Sequence, residues 1–243
     1  MTGASAGIGA ATAARLARSG ARVLLAGRDA VRLGALADRI GGIPIVADLG
    51  RDGAAGLLAE QALARTGRVD VLVNNAGVGW AGDFAAMPPV DIAQLVAVNL
   101  TAPLTLTRLL LPAMRERGRG HAVMVSSIAG CVGVAREAAY AATKAGLNGF
   151  CDSLRDELAG TGVGVSVVVP GVVDTEFFAR RGVPYQRTRP RPIPPERVAA
   201  AVVAAVERDR AWVYAPSWMR LPARVHGAFP GVFRWFAARA TGE

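Results

Sequence analysis

The chain has 243 residues, 52% of them hydrophobic, enough for one large core and too few for two comfortable ones, so a single domain is expected. Its net charge of +9 comes from arginines spread along the sequence with no recognition motif beside them, which argues against nucleic acid as a partner. Cys131 and Cys151 stand in no close motif, so neither a disulfide framework nor a metal site is supported, and a reduced, cytoplasmic protein is the expectation.

Short β-branched runs alternate with longer alanine- and leucine-rich segments of helical period, the pattern of βαβ units and a parallel sheet. The chain opens on Thr2-Gly3-Ala4-Ser5-Ala6-Gly7-Ile8-Gly9 and runs straight into a predicted helix over Ala6–Ser19. Such glycines let backbone N–H groups and a helix N-terminus approach a pyrophosphate, although a glycine-rich turn alone is often only a turn. A strand over Arg22–Ala26 leads through Gly27 and Arg28 to a helix over Asp29–Arg39, in which Asp29 suits the N-cap. A dinucleotide fold reads the adenosine ribose at this strand tip. An acid there would accept from both ribose hydroxyls and repel a 2′-phosphate, whereas the planar fork of Arg28 suits that phosphate and favours NADP(H) over NAD(H).

A strand over Pro44–Ala47, leading to Asp48 and Leu49, a helix over Gly53–Arg65 and a strand over Val69–Asn74 follow. The last of these ends in Asn74-Asn75-Ala76-Gly77, where a doubly wound sheet presents its ligand crevice. Thr-Gly-x-x-x-Gly-x-Gly together with Asn-Asn-Ala-Gly resembles the short-chain dehydrogenase/reductase family, and the resemblance runs to about Trp212. It implies a Rossmann-type α/β fold, a doubly wound parallel sheet with helices on both faces in the order 3-2-1-4-5-6-7. It also implies cofactor contacts from Gly3, Ser5, Gly7, Ile8, Gly9, Asn75, Ala76 and Gly77, with Asp48 at the adenine amine beside Leu49. Homo-oligomerisation through the helices Pro89–Arg117 and Ala138–Ala159 is a further implication.

The predicted helix Pro89–Arg117 carries Asn99, an unfavourable residue in mid-helix, and the resemblance makes it the residue that holds a water leading to the catalytic lysine. A strand over Ala122–Ser126 is followed by Ser127, thirteen residues before Tyr140, matching the family serine that hydrogen-bonds the substrate carbonyl. Strand alternation sends Ser126 to the opposite face. Tyr140-Ala141-Ala142-Thr143-Lys144 begins the helix Ala138–Ala159, and its i, i+4 spacing sets phenol and ammonium on one face. Lys144 is the only lysine of the chain. A free tyrosine titrates near ~10, and the neighbouring cation is expected to lower that value so that Tyr140 can exchange protons.

The most apolar stretches, Val163–Val173 and Val198–Val206, fall short of a membrane span, and no leader-like opening precedes them, so a soluble or at most surface-bound protein is expected. After the strand Val163–Val169, Pro170-Gly171-Val172-Val173-Asp174-Thr175 resembles the family's Pro-Gly-x-x-x-Thr. Pro170, Gly171, Val173 and Thr175 would then meet the nicotinamide, Thr175 at its carboxamide. Thr175–Pro195 is too long for an ordinary connection and reads as a lid over a ligand site. A helix over Pro195–Arg208 and a strand over Trp212–Ala215 complete the pattern. Residues 217–243 add Trp218, Leu221, Val225, Phe229, Phe233, Trp235 and Phe236 among Arg220, Arg224, Arg234 and Arg239. Aromatic side chains with arginine at helical spacing could make a weak membrane-surface contact or cover an apolar substrate. Packing on the domain or on a partner subunit is the simpler reading.

The reading that emerges is an NADP(H)-dependent oxidoreductase interconverting a carbonyl and a secondary alcohol of a small, apolar molecule, with Tyr140 as acid and base. Its alternative is an inactive nucleotide-binding module of the same fold. One departure bears on both, because the family's first strand should run into Thr2-Gly3, yet the chain begins at Met1. That strand is central, and its neighbours need backbone partners. Either a gap or a shortened stand-in from Met1 and Thr2 is expected between Arg22–Ala26 and Val69–Asn74. A start upstream, and instability or inactivity of the chain as written, follow as expectations.

Overall fold

The computed structural model describes residues 1–185, 188–233 and 235. Of the residues singled out in the C-terminal segment, Arg234, Phe236 and Arg239 lie outside the described residues, as do two positions of the lid stretch, Gln186 and Arg187.

The alternation of β-branched and helical runs is realised as α1 (Gly7–Arg18), β1 (Leu24–Gly27), α2 (Ala30–Ile40), β2 (Ile43–Val46), α3 (Ala54–Thr66) and β3 (Val71–Asn74). It continues as α4 (Pro89–Val96), α5 (Ala102–Glu116), β4 (Gly120–Val125), α6 (Ala129–Val132), α7 (Ala138–Glu157) and β5 (Val163–Pro170). The chain then forms α8 (Phe177–Arg180), α9 (Pro195–Glu207), β6 (Trp212–Ala215) and α10 (Arg220–Ala228). All paired strands are parallel, β1 with β2 and then β3-β4-β5-β6 in order.

Met1 and Thr2 bridge the two groups of strands, so the stand-in is present rather than the gap. The Ala26 N–H donates to Met1 O at 2.9 Å, and the Thr2 N–H donates to Val73 O at 3.0 Å. Thr2 also pairs with Ala26 in parallel register. The resulting order, β2-β1-(Met1, Thr2)-β3-β4-β5-β6, is the expected doubly wound arrangement.

Side-chain alternation along the strands sorts the core into two faces. Ala122 and Met124 of β4 and Val165, Val167 and Val169 of β5 pack with Leu58 of α3, Leu106, Leu110 and Met114 of α5, and Leu147 and Leu154 of α7. Val123, Val125 and Val168 point the other way, onto Val198 and Val202 of α9. Leu25 of β1 meets Ala13 of α1 and Leu33 and Leu36 of α2. Full burial of a leucine or valine side chain contributes about 1.5–3 kcal/mol, so either face far outweighs any surface contact.

Three segments differ from the sequence pattern. The predicted helix Pro89–Arg117 is interrupted, with Ala97–Thr101 between α4 and α5 forming a π-helical turn in which the Ala102 N–H donates to Ala97 O. As one run, Pro89–Glu116 is long and apolar enough by composition to cross a membrane, which the sequence reading did not anticipate, yet its Leu95, Leu106, Leu110 and Met114 are core residues. The lid stretch is not a bare loop: it contains α8, Val173 pairs with Ile193, and the Tyr185 hydroxyl donates to Pro190 O at 2.8 Å. In the C-terminal segment α10 packs against α6 and Met219 is buried, while Trp218, Leu221, Phe229, Val232 and Trp235 stay exposed.

Candidate functional site

The carboxyl ends of the strands open on one cavity of 1040 Å³. One side is built from backbone. Gly3 and Gly7 adopt φ values of +65° and +54°, where L side chains are strained. A Cβ on Gly9 would lie 1.9 Å from Gly3 O, and one on Gly7 would lie 2.9 Å from Thr175 Cγ2. The N-cap of α1, Ala6, offers no side-chain acceptor, so the first-turn N–H groups of a twelve-residue helix remain to be satisfied by something else. A cradle kept free of Cβ atoms at such a helix start fits a pyrophosphate. Ser5 and Ile8 line it, and Gly77 lines its continuation.

Around this cradle the sequence-predicted residues fall into two groups. Arg28, Asp48, Leu49, Asn75, Ala76, Pro170, Gly171, Val173 and Thr175 all line the cavity. Asn75 does so with its amide already committed, since Nδ2 donates to Thr2 O at 3.0 Å and to Gly3 O at 3.3 Å. Asn74, by contrast, is buried with Nδ2 donating to Thr107 Oγ1 at 3.2 Å, a strut behind the site. Asp29 caps α2, accepting from the Arg32 N–H at 3.0 Å, which leaves Arg28 as the side chain at the strand tip. Asp48 Oδ1 accepts from the Gly50 N–H at 3.1 Å.

The other side is built from side chains. Ser127 and Tyr140 both line the cavity, and Ser127 Oγ accepts from the Ala129 N–H at 3.2 Å. Ser126 faces away, buried with its hydroxyl 2.7 Å from Asn148 Oδ1, as the strand alternation requires. Lys144 is buried on the same face of α7, its Nζ donating to Val125 O at 3.0 Å and lying 5.8 Å from the centroid of the Tyr140 ring. Gly77 lies against both Asn99 and Lys144, since a Cβ there would stand 3.4 Å from Asn99 Oδ1 and 3.6 Å from Lys144 Nζ, ordinary van der Waals distances.

Asn99 sits in the π-helical turn, fully buried. Its Oδ1 accepts from the Val78 N–H and its Nδ2 donates to Val78 O, both at 2.9 Å, and Nδ2 lies 3.2 Å from Thr143 Oγ1. A primary amide is the side chain that satisfies a backbone donor and acceptor together. The Asn99 side chain thereby ties the segment after β3 to the helix of Tyr140. A π-turn at a functional site is a recurrent feature.

The titration of the tyrosine differs from expectation. Burial pushes Tyr140 up to about 12, with the Ser127 hydrogen bond pulling it down, Glu137 pushing it up and Arg181 pulling it down. Burial also brings Lys144 down to about 8. The net lowering expected from the neighbouring cation is not found, because loss of solvation is the largest cause and raises the value.

Three further groups on the cavity wall carry no sequence signal. An ion pair joins Glu137 to Arg181, the rings of Phe177 and Phe178 cover the Tyr140 side, and Met219 closes in below Gly171, where a Cβ would meet its Cε at 2.5 Å. Each depends on a contact between residues far apart in sequence.

The family model described as short chain dehydrogenase matches residues 1–184. Ketoacyl reductase HetN of Nostoc sp. is 42% identical over 178 residues, covering 71% of this chain and 62% of that protein, so the match spans less than two thirds of that relative. The short-chain dehydrogenase from Sphingobium yanoikuyae in complex with NADPH superposes with a TM-score of 0.83 at 30% identity, covering 95% of this chain and 94% of the other. A short chain dehydrogenase/reductase from Burkholderia phymatum in complex with NAD reaches 0.85 at 25% identity, covering 94% and 92%.

Proposed function

The chain belongs to the short-chain dehydrogenase family, and on that premise we propose that it is an NADP(H)-dependent oxidoreductase interconverting a carbonyl and a secondary alcohol, with Tyr140 as acid and base. The observation that carries this reading is the meeting of Ser127, Tyr140 and Lys144 with a glycine cradle in one cavity. When bound, the nicotinamide supplies or accepts the hydride. Gly3, Ser5, Gly7, Ile8 and Gly9 would hold the pyrophosphate, Asp48 and Leu49 the adenine, Asn75, Ala76 and Gly77 the adenosine ribose, and Lys144 the nicotinamide ribose. Pro170, Gly171, Val173 and Thr175 would fix the nicotinamide ring.

In the reducing direction the Ser127 hydroxyl donates to the substrate carbonyl oxygen and Tyr140 Oη delivers its proton to that oxygen. Burial that pushes Tyr140 up to about 12 keeps the phenol protonated until a negative oxygen develops beside it. Lys144, buried on the same helix face, stabilises the phenolate left behind. In the oxidising direction the same phenolate takes the proton back.

Arg28 at the tip of β1 supports NADP(H) over NAD(H) through a charge-assisted contact to the 2′-phosphate. Arg28→Ala should weaken NADPH binding by about tenfold and leave NADH unchanged, and equal loss for both cofactors would remove Arg28 from this role. Exposed Val90, Val96 and Leu109 on α4 and α5 support homo-oligomerisation through these helices. The exposed aromatic ridge of the C-terminal segment, with Arg220 and Arg224 beside it, suits a weak membrane-surface contact, which flotation with anionic vesicles reads directly.

The deciding experiment follows NADPH absorbance over a panel of ketones and aldehydes. Turnover on some members is expected. Nucleotide binding without turnover on any would replace the enzyme by a binding module of the same fold.

A further inference from the structure

The substrate side of the cavity contains a charged pair that the proposed chemistry leaves unused. Glu137 is the residue that leads into α7, three before Tyr140, and Arg181 directly follows α8 on the covering stretch. Arg181 Nη1 donates to Glu137 Oε1, and the two side chains are only 8% and 15% exposed although both line the cavity. Arg181 is held further by its Nε, which donates to Val183 O at 3.2 Å, and its guanidinium lies 4.6 Å from the Phe178 ring centroid. Phe177 lies beside the reacting tyrosine, its ring 5.6 Å from that of Tyr140. Gly79 makes room for this niche, since a Cβ there would meet Phe177 Cζ at 2.6 Å and Arg181 Cβ at 3.3 Å.

The pair is thus enclosed by rings beside the reacting tyrosine, where water screens it poorly. Separating such a pair is strongly unfavourable because each partner is then a buried charge without a counter-ion. Two other arginines that line the cavity differ: Arg180 is paired with Glu176 and half-exposed, and Arg136 is exposed, so solvent and salt screen both.

We propose that Glu137 is a specificity-determining residue, which by occupying Arg181 keeps the substrate side of the cavity neutral, so that neutral apolar carbonyl compounds are admitted and carboxylated ones rejected. This rests on the reading of the chain as a carbonyl reductase. A substrate carboxylate in this niche would compete with Glu137 for one guanidinium, placing two carboxylates in a poorly solvated space. Without Glu137, the planar fork of Arg181 becomes a receptor for a carboxylate. Without Arg181, Glu137 becomes a receptor for an ammonium.

The test is calorimetric titration of the protein with 3-phenylpropanoate, 3-phenylpropanamide and 3-phenylpropylamine, three ligands of like shape and different charge. Wild type is expected to bind the amide about tenfold or more tighter than the carboxylate. Glu137→Gln should gain about tenfold or more for the carboxylate, with the amide changed by less than about threefold. Arg181→Met should gain for the amine and not for the carboxylate, and the double variant should lose both gains. Equal wild-type affinity for amide and carboxylate, or no carboxylate gain in Glu137→Gln, overturns the proposal. Should Glu137→Gln fail to fold, Arg181→Met decides, and absence of an amine gain overturns it equally. Because these affinities need no turnover, failure of NADPH oxidation on every ketone would sink the catalytic reading separately.

Discussion

At the carboxyl ends of the strands Ser127, Tyr140 and Lys144 face a cavity of 1040 Å³, whereas toward the amino ends a serine, a histidine and an aspartate close on one another. There His121 Nε2 lies 2.7 Å from Ser166 Oγ, and Ser166 donates to Arg210 O at 2.7 Å. With that hydroxyl proton spent on a carbonyl, the imidazole must donate through Nε2. His121 Nδ1 is 3.9 Å from Asp209 Oδ1, too far for a hydrogen bond, and Arg155 holds Asp209 with Nη2 at 2.9 Å from Oδ2. By residue type this resembles a nucleophile, base and orienting acid. It does not line the cavity, and Ser166 is 1% exposed. The contrast teaches that a site needs access and polar groups with capacity left for a ligand. A network that satisfies itself holds strands together.

The sharpest way to break this contrast is to delete one hydroxyl at each end. Ser127→Ala should lower turnover by ~10² or more, the usual cost of losing a donor aimed at a developing oxyanion, and leave the melting transition in place. Ser166→Ala should cost ~1–3 kcal/mol of stability, because it leaves a buried imidazole N–H unpaired, and keep turnover within about twofold of wild type. Chemical denaturation and NADPH oxidation on the same samples read both. A turnover loss in Ser166→Ala to match that of Ser127→Ala would erase the distinction between the ends.

A smaller effect sharpens the picture of the amino end. Burial holds His121 below its ordinary value near 6.5, with Asp209 opposing and Arg155 adding to the shift. The folded state therefore binds that proton less readily than the unfolded chain. Its stabilising contribution is fully present above pH ~6.5 and is lost as pH falls from there toward the folded value. His121→Gln, which keeps a donor near Ser166 but cannot titrate, should flatten this part of the melting-temperature profile. An unchanged acid slope in the variant would assign it to other groups.

How far the chain could be read in advance follows the same division between local and distant contacts. Gly3, Gly7 and Gly9 lie within one turn and its helix, and Tyr140 and Lys144 share one helix face, so their spacing alone carried their geometry. The opposite facing of Ser126 and Ser127 was likewise legible as strand alternation. The Glu137–Arg181 pair joins residues 44 apart on elements whose meeting no local pattern encodes. Asn99 was correctly singled out as odd in mid-helix, but the π-turn that turns its amide onto Val78 is a property of the backbone. The direction of the Tyr140 shift was missed for a related reason: sequence spacing reveals a neighbouring cation and hides burial, the largest cause of the upward shift.

The measurement closest to the centre of this account is Tyr140→Phe, assayed on one preparation for NADPH affinity by cofactor fluorescence and for turnover by NADPH absorbance on a ketone that the wild type reduces. Removing only the hydroxyl should leave the affinity within about twofold and lower turnover by ~10² or more. Turnover at the wild-type rate with unchanged NADPH affinity would contradict the assignment of the chemistry to the carboxyl end of the sheet and to Tyr140.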